Sequence, residues 1–281
     1  MQAQKRVAAI HDISGFGKCS LTVALPILSA AGIETSVLPT AVLSTHTGGF
    51  TGFTFRDLTA DLKPIAAHWK SIGIGFDCLY SGFLGSMGQL DIVSEIFEMF
   101  KEKDTLILVD PAMADNGRLY STFSTDFVKG MAAFCAKADI IVPNMTEAAF
   151  LLGESYQPGP YVKQIVESML KNLSAMGPSR VVLTGVWFGD NRLGAAVFDH
   201  GEISYAFHNK IEGLYHGTGD VFASALLGAL LNGFSLTHSA QIAVDFTAGS
   251  IQRTLEAGTD VRFGVKFELE LPGYMKALRL L

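Results

Sequence analysis

The sequence predicts an α/β fold in which a mostly parallel central sheet carries helices on both faces. Two observations support this: short apolar segments alternate with longer segments of helical periodicity, and no linker, charge block or internal repeat interrupts the alternation. We therefore expect residues 1–281 to form a single domain. The apolar segments, interpreted as strands buried on both faces, contain Val7, Ile33, Leu79, Leu106, Ile140 and Val181.

The composition argues against several classes of partner. The chain has 281 residues, of which 49% are hydrophobic, so it can bury a large core. Its formal net charge of −6 argues against a nucleic-acid partner, because phosphate backbones require basic surfaces. The three cysteines are widely separated, as in a reduced compartment, and the apolar run after Lys5 and Arg6 is too short to cross a membrane. We expect a cytoplasmic protein without a membrane partner.

A glycine-rich segment, 14–20, separates the first strand from a helix predicted over 21–31. The strand ends at Asp12, and ligands gather at the carboxyl ends of parallel strands, so Asp12 is a candidate binding residue. A P-loop is excluded. Its first glycine would fall on Asp12, and Cys19 stands where the motif needs a hydroxyl residue after the lysine.

The same segment partly matches a dinucleotide-binding fingerprint. Gly15 and Gly17 are followed by Ser20 instead of a third glycine, and Glu34 lies at roughly the distance of the ribose-binding acid. A dinucleotide-binding fold therefore stays open as an alternative.

The second strand, 33–38, leads into a loop of small, polar and glycine-rich residues, 44–50. This loop contains one imidazole, His46, and is able to wrap a compact polar ligand. An ordinary connecting loop with a surface histidine is the alternative. From Phe55 to Trp69, apolar and polar residues recur at helical spacing, which predicts a helix.

Two further strands end in turns or acids. The strand within 77–82 ends in a turn before Phe83, and the buried strand 106–109 runs into Asp110. Asp110 should therefore lie at the same edge of the sheet as the end of the first strand. The small and polar segment 112–120 that follows has the composition of a mobile lid over a phosphate.

Asn144 and Glu147 have two compatible interpretations. They follow the strand predicted over 139–143 and open a helix that ends near Gly153. Asparagine at the N-cap with glutamate three residues later is a capping box, which stabilises a helix without any chemistry. A helix start beside nucleotide phosphates is also a natural place for a hydrated Mg²⁺ held by few carboxylates. The next buried strand is predicted over 180–185.

The segment His216–Asp220 precedes an apolar helical run, 221–231. Its two glycines would let the backbone approach a phosphoryl oxygen, and the free N–H groups at a helix start attract anions. A carboxylate repels a phosphate beside it, so Asp220 is interpreted as a base. Capping of the helix by Asp220 is the alternative. A long helix over 236–255 should pack behind this turn.

These motifs and their order resemble the ribokinase-like small-molecule kinases, and within that superfamily the pyridoxal/pyridoxamine kinases. The resemblance extends from about Lys5 to about Leu255 and rests on Gly217-Thr218-Gly219-Asp220, Ser44-x-His46-Thr47-Gly48 and Asn144-x-x-Glu147. It implies a ribokinase-like fold and ATP-dependent phosphorylation of the 5′-hydroxymethyl group of pyridoxal, pyridoxine or pyridoxamine. Mg²⁺ and a homodimer are also implied, while a requirement for a monovalent cation such as K⁺ stays open.

The resemblance also implies a role for each site residue. Asp220 would deprotonate the acceptor hydroxyl, and Gly217, Thr218 and Gly219 would form an anion hole. The other roles are vitamer binding by Asp12, Ser14, His46, Thr47 and Phe83, nucleotide binding by Asp115, Asn144 and Thr184, and metal binding by Asp110 and Glu147. This chain departs from the family at Ala114, where relatives usually have glycine, which predicts a stiffer lid.

Two other functions stay open at this point. The hydroxymethylpyrimidine kinases belong to the same superfamily, but they generally carry cysteine where this chain has Asp220. A catalytically weak B6-binding protein that retains the fold is the second, although Asp220, Gly217 and Glu147 are intact. The sequence of the tail 265–281 predicts a short helix near Tyr274, and we assign no function to it.

Overall fold

The computed structural model describes residues 4–281, so the start of the N-terminal segment, residues 1–3, lies outside the described residues. Strands and helices alternate along the chain. The strands are β1 Arg6–Ser14, β2 Glu34–Leu43, β3 Phe55–Asp57, β4 Cys78–Ser81, β5 Leu106–Val109, β6 Ala114–Asp115, β7 Arg118–Leu119, β8 Ile140–Ile141, β9 Arg180–Val186, β10 Arg192–Asp199 and β11 Glu202–Asn209. The helices are α1 Leu21–Ala30, α2 Thr59–Ser71, α3 Met87–Phe100, α4 Thr125–Cys135, α5 Met145–Leu151, α6 Lys163–Ala175, α7 Thr218–Leu231, α8 Leu236–Ala257 and α9 Leu271–Ala277.

The main sheet has nine strands in the order β11-β10-β9-β8-β5-β4-β1-β2-β3. The central strands from β9 to β2 in this order are parallel to their neighbours, while β10 and β11 at one edge and β3 at the other pair antiparallel. This arrangement confirms the prediction of a mostly parallel sheet. Within residues 4–281, no helix combines the length and apolar character needed to span a membrane.

Helices cover both faces of the sheet because the strand side chains alternate between two apolar cores. On β1, Ala8 and Ile10 face the core that contains side chains of α2 to α6. Val7 faces the other core, where α1, α7, α8 and α9 pack. The central strands are therefore buried on both sides, which explains their uniformly apolar sequences.

The structure corrects two predicted elements. The segment from Phe55 to Trp69 is not one helix: residues 55–57 form β3, and α2 begins only at Thr59. Strand β3 pairs antiparallel with residues 41–43, so a tertiary contact overrides the local helical spacing. For the same reason β2 continues past Leu38 to Leu43. The predicted long helix, α8, and the predicted short helix around Tyr274, α9, are confirmed.

The dinucleotide-binding alternative is wrong. Glu34 begins β2 and pairs with Arg6 at the start of β1, with 2.9 Å between Arg6 Nη2 and Glu34 Oε2. A ribose-binding acid must instead lie at the carboxyl edge of the sheet. Glu34 therefore lies at the amino ends of the strands, whereas Asp12 lies at their carboxyl ends. Its ion pair with Arg6 stabilises the amino ends of β1 and β2.

Candidate active site

A cavity of about 560 Å³ lies at the carboxyl edge of the parallel strands, a volume suited to small molecules. Every residue that the sequence analysis assigned to the site lines it. They are Asp12, Ser14, His46, Thr47, Phe83, Asp110, Asp115, Asn144, Glu147, Thr184, Gly217, Thr218, Gly219 and Asp220. Segments far apart in sequence meet here because parallel strands bring their carboxyl ends to one edge.

The segment His216–Asp220, named the anion-binding turn for its predicted role, lies at the N-terminus of α7. The helix begins at Thr218, and its N-cap is Gly217, which has a left-handed φ of 76° and no side-chain capping bond. An ideal Cβ on Gly217 would lie 2.2 Å from the Lys18 carbonyl oxygen, so this position requires glycine. Asp220 is the third residue of the helix and not its cap, which makes the capping alternative wrong.

Asp220 has the protonation behaviour of a base that works near neutral pH. Burial is the main cause that raises its pKa to about 7; a hydrogen bond from the backbone of Ser20 lowers the pKa, and the negative charge of Asp12 raises it. The carboxylate and the carboxylic acid therefore both exist at neutral pH. A pKa close to the working pH favours proton transfer in either direction.

Asp12 is held by two hydroxyl groups. Ser14 Oγ donates to Asp12 Oδ2 over 2.9 Å, and Ser20 Oγ donates to Asp12 Oδ1 over 2.5 Å. Asp12 is only 4% exposed. Burial raises its pKa, while both serine hydrogen bonds lower it. The carboxylate is thus fixed in orientation at the end of β1 while still lining the cavity.

Asp110 and Glu147 are two buried carboxyls with different surroundings. Asp110 Oδ1 accepts from the Ala112 backbone over 3.2 Å, whereas Oδ2 points toward the anion-binding turn, 4.0 Å from an ideal Cβ on Gly219. Burial, then the charges of Glu147 and Asp220, raise the pKa of Asp110. Burial also raises the pKa of Glu147 to about 7.

Glu147 joins helix α5 to the segment predicted as a lid. Its Oε2 accepts from the Asn144 backbone over 2.9 Å, which completes the predicted capping box. Its Oε1 accepts from the backbone of Met113 over 3.0 Å and of Ala114 over 3.4 Å. The segment itself is a small hairpin of β6 and β7, and Asn144 Nδ2 donates to the Ala114 carbonyl over 2.8 Å. The mobility of this hairpin stays a prediction.

The loop around His46 is tied to the C-terminal tail. His46 Nε2 donates to the Arg262 carbonyl over 2.7 Å, and Nδ1 accepts from the Gly48 backbone over 3.0 Å. His46 is 6% exposed, so the alternative of a surface histidine is wrong. Burial is the main cause that lowers its pKa, and both ring nitrogens are engaged. His46 therefore contributes its ring face and shapes the loop, while Thr47 lies exposed at the rim.

Phe83 and Thr184 also line the cavity. The Phe83 ring packs on Phe123, with centroids 5.5 Å apart, and presents an aromatic wall. Thr184 Oγ1 donates to the Pro143 carbonyl over 3.4 Å, which orients its oxygen beside Asn144.

The lining of the cavity is rich in acidic side chains. Five aspartate and glutamate side chains line the cavity together with three histidines, and its described lining residues include no lysine or arginine. The partial positive charge at the N-terminus of α7 is therefore one source of attraction for an anion in this cavity.

Sequence reasoning missed several lining residues. Ser20, His208 and Asn209 reach the cavity, as do Val244 and other apolar side chains of α8. His216 was quoted with the anion-binding turn but received no role. Nothing in the local sequence marks Ser20, because its contact with Asp12 forms only when the loop 14–20 folds back on β1.

A family model described as phosphomethylpyrimidine kinase matches residues 29–263 of this chain. The chain belongs to this family. A protein from Bacteroides thetaiotaomicron described as a phosphomethylpyrimidine kinase, in a crystal form with pyridoxal, is similar in structure. It is 38% identical, has a TM-score of 0.92, and the match covers 97% of this chain and 96% of that one.

Two further relatives are described as pyridoxal kinases. The crystal structure of pyridoxal kinase from Lactobacillus plantarum is 32% identical with a TM-score of 0.90, and the match covers 98% of each chain. A Schizosaccharomyces pombe protein described as a pyridoxal kinase is 26% identical over 93% of this chain and 85% of its own length. These similarities confirm the ribokinase-like fold of the pyridoxal kinases that the motifs implied.

Proposed function

We propose that this protein transfers the γ-phosphoryl group of ATP to the 5′-hydroxymethyl group of a B6 vitamer, in the salvage of pyridoxal 5′-phosphate. One observation carries the proposal: Asp220, with a pKa of about 7, stands at the anion-binding turn of a cavity that also holds Asp12, Thr47 and Phe83. The similar Bacteroides protein crystallised with pyridoxal, and a 32% identical relative is a pyridoxal kinase, which supports the same substrate class.

In this proposal the chain's own groups act in sequence. Asp220 accepts the proton of the vitamer hydroxyl, whose oxygen then attacks the γ-phosphorus as the bond to the ADP oxygen breaks. The backbone N–H groups from Gly217 to Gly219 stabilise the charge on the transferred phosphoryl oxygens. Asn144, Thr184 and Asp115, on the far side of the turn, border the polyphosphate.

Asp110 fits the role of a Mg²⁺ ligand. Its Oδ2 accepts no hydrogen bond from the residues that the structure describes, and it points toward the anion-binding turn. Residues 4–281 contain no group of three or more histidine, cysteine or acidic side chains that could hold a metal. This matches Mg²⁺, which is usually bound by one or two carboxylates plus water and phosphate oxygens. Mg²⁺ would neutralise phosphate charge, with Glu147 as a supporting residue. A K⁺ requirement stays part of the proposal to be tested.

Vitamer recognition falls to the opposite end of the cavity. A B6 ring offers a pyridine nitrogen, a phenolic oxygen and two apolar faces. Asp12 is the acid for the ring nitrogen, and Ser14 orients it. Thr47 offers a hydroxyl for a ring substituent, while Phe83 and the His46 ring provide apolar contact.

Hydroxymethylpyrimidine phosphorylation is the second candidate, because the matching family model carries a phosphomethylpyrimidine kinase description. Asp220 argues against it, since those enzymes generally carry cysteine at this position. The deciding experiment measures ADP release with pyridoxal, pyridoxine, pyridoxamine and hydroxymethylpyrimidine as acceptors. The proposal predicts the highest kcat/KM for a B6 vitamer. Preference for hydroxymethylpyrimidine would overturn it, and binding without turnover would indicate a B6-binding protein.

We further propose that residues 1–281 form one domain of a cytoplasmic homodimer. The continuous main sheet, which contains every strand except β6 and β7, supports the single domain. Sedimentation velocity would test the dimer.

A further inference from the structure

Ser20 has an unusual conformation for a residue that precedes a helix. It is the N-cap of α1 with φ 55° and ψ −129°, and its hydroxyl makes no capping bond. A serine at this position normally accepts from the helix N–H groups, which stabilises the helix. Here Ser20 Oγ instead donates to Asp12 Oδ1 over 2.5 Å. Ser20 is 5% exposed, and its hydroxyl hydrogen-bonds the Asp12 carboxylate instead of capping α1.

The backbone around Ser20 is held from three sides. Ser20 forms a backbone bridge with Ile13 of β1, which closes the loop. The Lys18 carbonyl lies against Gly217, where an ideal Cβ would be 2.2 Å away. Gly264 in the tail lies against the Gly17 carbonyl, 2.6 Å from an ideal Cβ. These contacts maintain left-handed φ values at Lys18 and Ser20, which non-glycine residues adopt only under such constraint.

The same residue also contacts the base. The backbone of Ser20 hydrogen-bonds Asp220 and lowers its pKa, while the charge of Asp12 raises that pKa. Ser20 thus contacts Asp12 through its side chain and Asp220 through its backbone. Ser14 bonds the other oxygen of Asp12 and has no such connection to Asp220.

We infer that Ser20 is a positioning residue: its hydroxyl and backbone fix the acceptor-binding carboxylate Asp12 and the base Asp220 at a constant separation. The vitamer must span these two groups, with its ring nitrogen at one and its hydroxymethyl oxygen at the other. A fixed separation holds the hydroxyl in line for attack, which small displacements would disrupt. This inference rests on the proposed function.

The test compares the wild type with Ser20→Ala, Ser20→Gly and Ser14→Ala. Glycine adopts φ 55° without strain, so Ser20→Gly removes the hydroxyl while relieving the backbone, and Ser14→Ala removes an equivalent donor from Asp12. Both Ser20 variants should lower kcat by about tenfold and raise the vitamer KM, with the ATP KM within about twofold. Ser14→Ala should mainly raise the vitamer KM.

A pH titration provides a readout that a purely structural role would not change. Without the Ser20 hydroxyl, Asp12 binds a proton more readily, so it repels the Asp220 carboxylate less and the pKa of Asp220 should fall. Carbon-13 NMR of the aspartate carboxyl groups measures this shift without turnover. The titratable groups around Asp220 that the assignment must separate are Asp12, Cys19, Tyr80, Asp110 and Tyr120.

Each outcome decides one question. Wild-type kcat in Ser20→Gly, or equal kcat losses in Ser20→Ala and Ser14→Ala, would overturn the positioning role. An unchanged Asp220 titration in Ser20→Ala would also overturn it. If the wild type phosphorylates no B6 vitamer, the proposed function fails, and the NMR titration still decides whether Ser20 couples the two carboxyls.

Discussion

The pH dependence of turnover tests Asp220 as the base. Its pKa is raised to about 7, so the reactive carboxylate form appears as the pH rises through neutrality. About one tenth of Asp220 is ionised at pH 6 and about nine tenths at pH 8, so kcat/KM for the vitamer should rise roughly tenfold over this interval. Asp220→Asn should lower kcat by about 10² to 10⁴-fold and remove this rise.

The assay measures ADP release at saturating Mg²⁺ and ATP, with pyridoxine as the acceptor. Asp220→Asn should fold normally, because Gly217 and not Asp220 is the N-cap of α7. Asp104→Asn, at an exposed position, is the matched control and should keep both the wild-type rate and its pH profile. A rate within tenfold of wild type for Asp220→Asn, or an unchanged pH rise, would refute the assignment of Asp220 as the base.

Three further predictions concern the surrounding residues. Glu147→Gln should lower the free energy of unfolding by about 1–3 kcal/mol in urea titrations. Both carboxylate oxygens accept backbone N–H groups, which the amide NH₂ cannot do. An unchanged free energy of unfolding would contradict the role of these hydrogen bonds. Burial lowers the pKa of His11 to about 3, so protonation should favour unfolding and stability should fall as pH decreases from 6.5 toward 3. Relative to His11→Leu, the free energy of unfolding of the wild type should fall by about 1.4 kcal/mol per pH unit in this range. Parallel plots of unfolding free energy against pH for the two proteins would exclude the effect. Asp12→Ala should raise the vitamer Kd by about 10 to 100-fold, measured by calorimetry, with little change in the Kd for ATP. Thr47→Val should raise the vitamer KM with little change in the KM for ATP. Equal losses of ATP affinity would remove both residues from the vitamer-binding site.

The sequence predicts those parts of the fold in which local pattern and tertiary structure agree. Uniformly apolar strands such as 106–109 are recognisable because they are buried on both faces. The segment 55–57 fails because its strand conformation comes from pairing with β2 and not from its own spacing. The anion-binding turn and the capping box at Asn144 are local motifs, so both could be located from sequence.

The missed residues depend on contacts between distant segments. Ser20 looks like part of a nucleotide-binding loop in the sequence, and only its bond to Asp12 reveals its place in the site. Arg262 had no predicted function, yet its carbonyl oxygen fixes the tautomer of His46 from more than 200 residues away. No local pattern encodes either contact, because both need the folded sheet and tail to bring the partners together.

The acidic lining of the cavity makes the form of the nucleotide important. Five acidic side chains, some of them ionised at neutral pH, and no lysine or arginine face a nucleotide that arrives without a metal and carries its full negative charge. A nucleotide already complexed with Mg²⁺ carries about two fewer negative charges and meets less repulsion. Under the proposed function, the cavity would therefore favour the metal-bound nucleotide during approach, before any contact with the acceptor. The same proposal then predicts a turnover rate that follows the free Mg²⁺ concentration as well as the total nucleotide concentration.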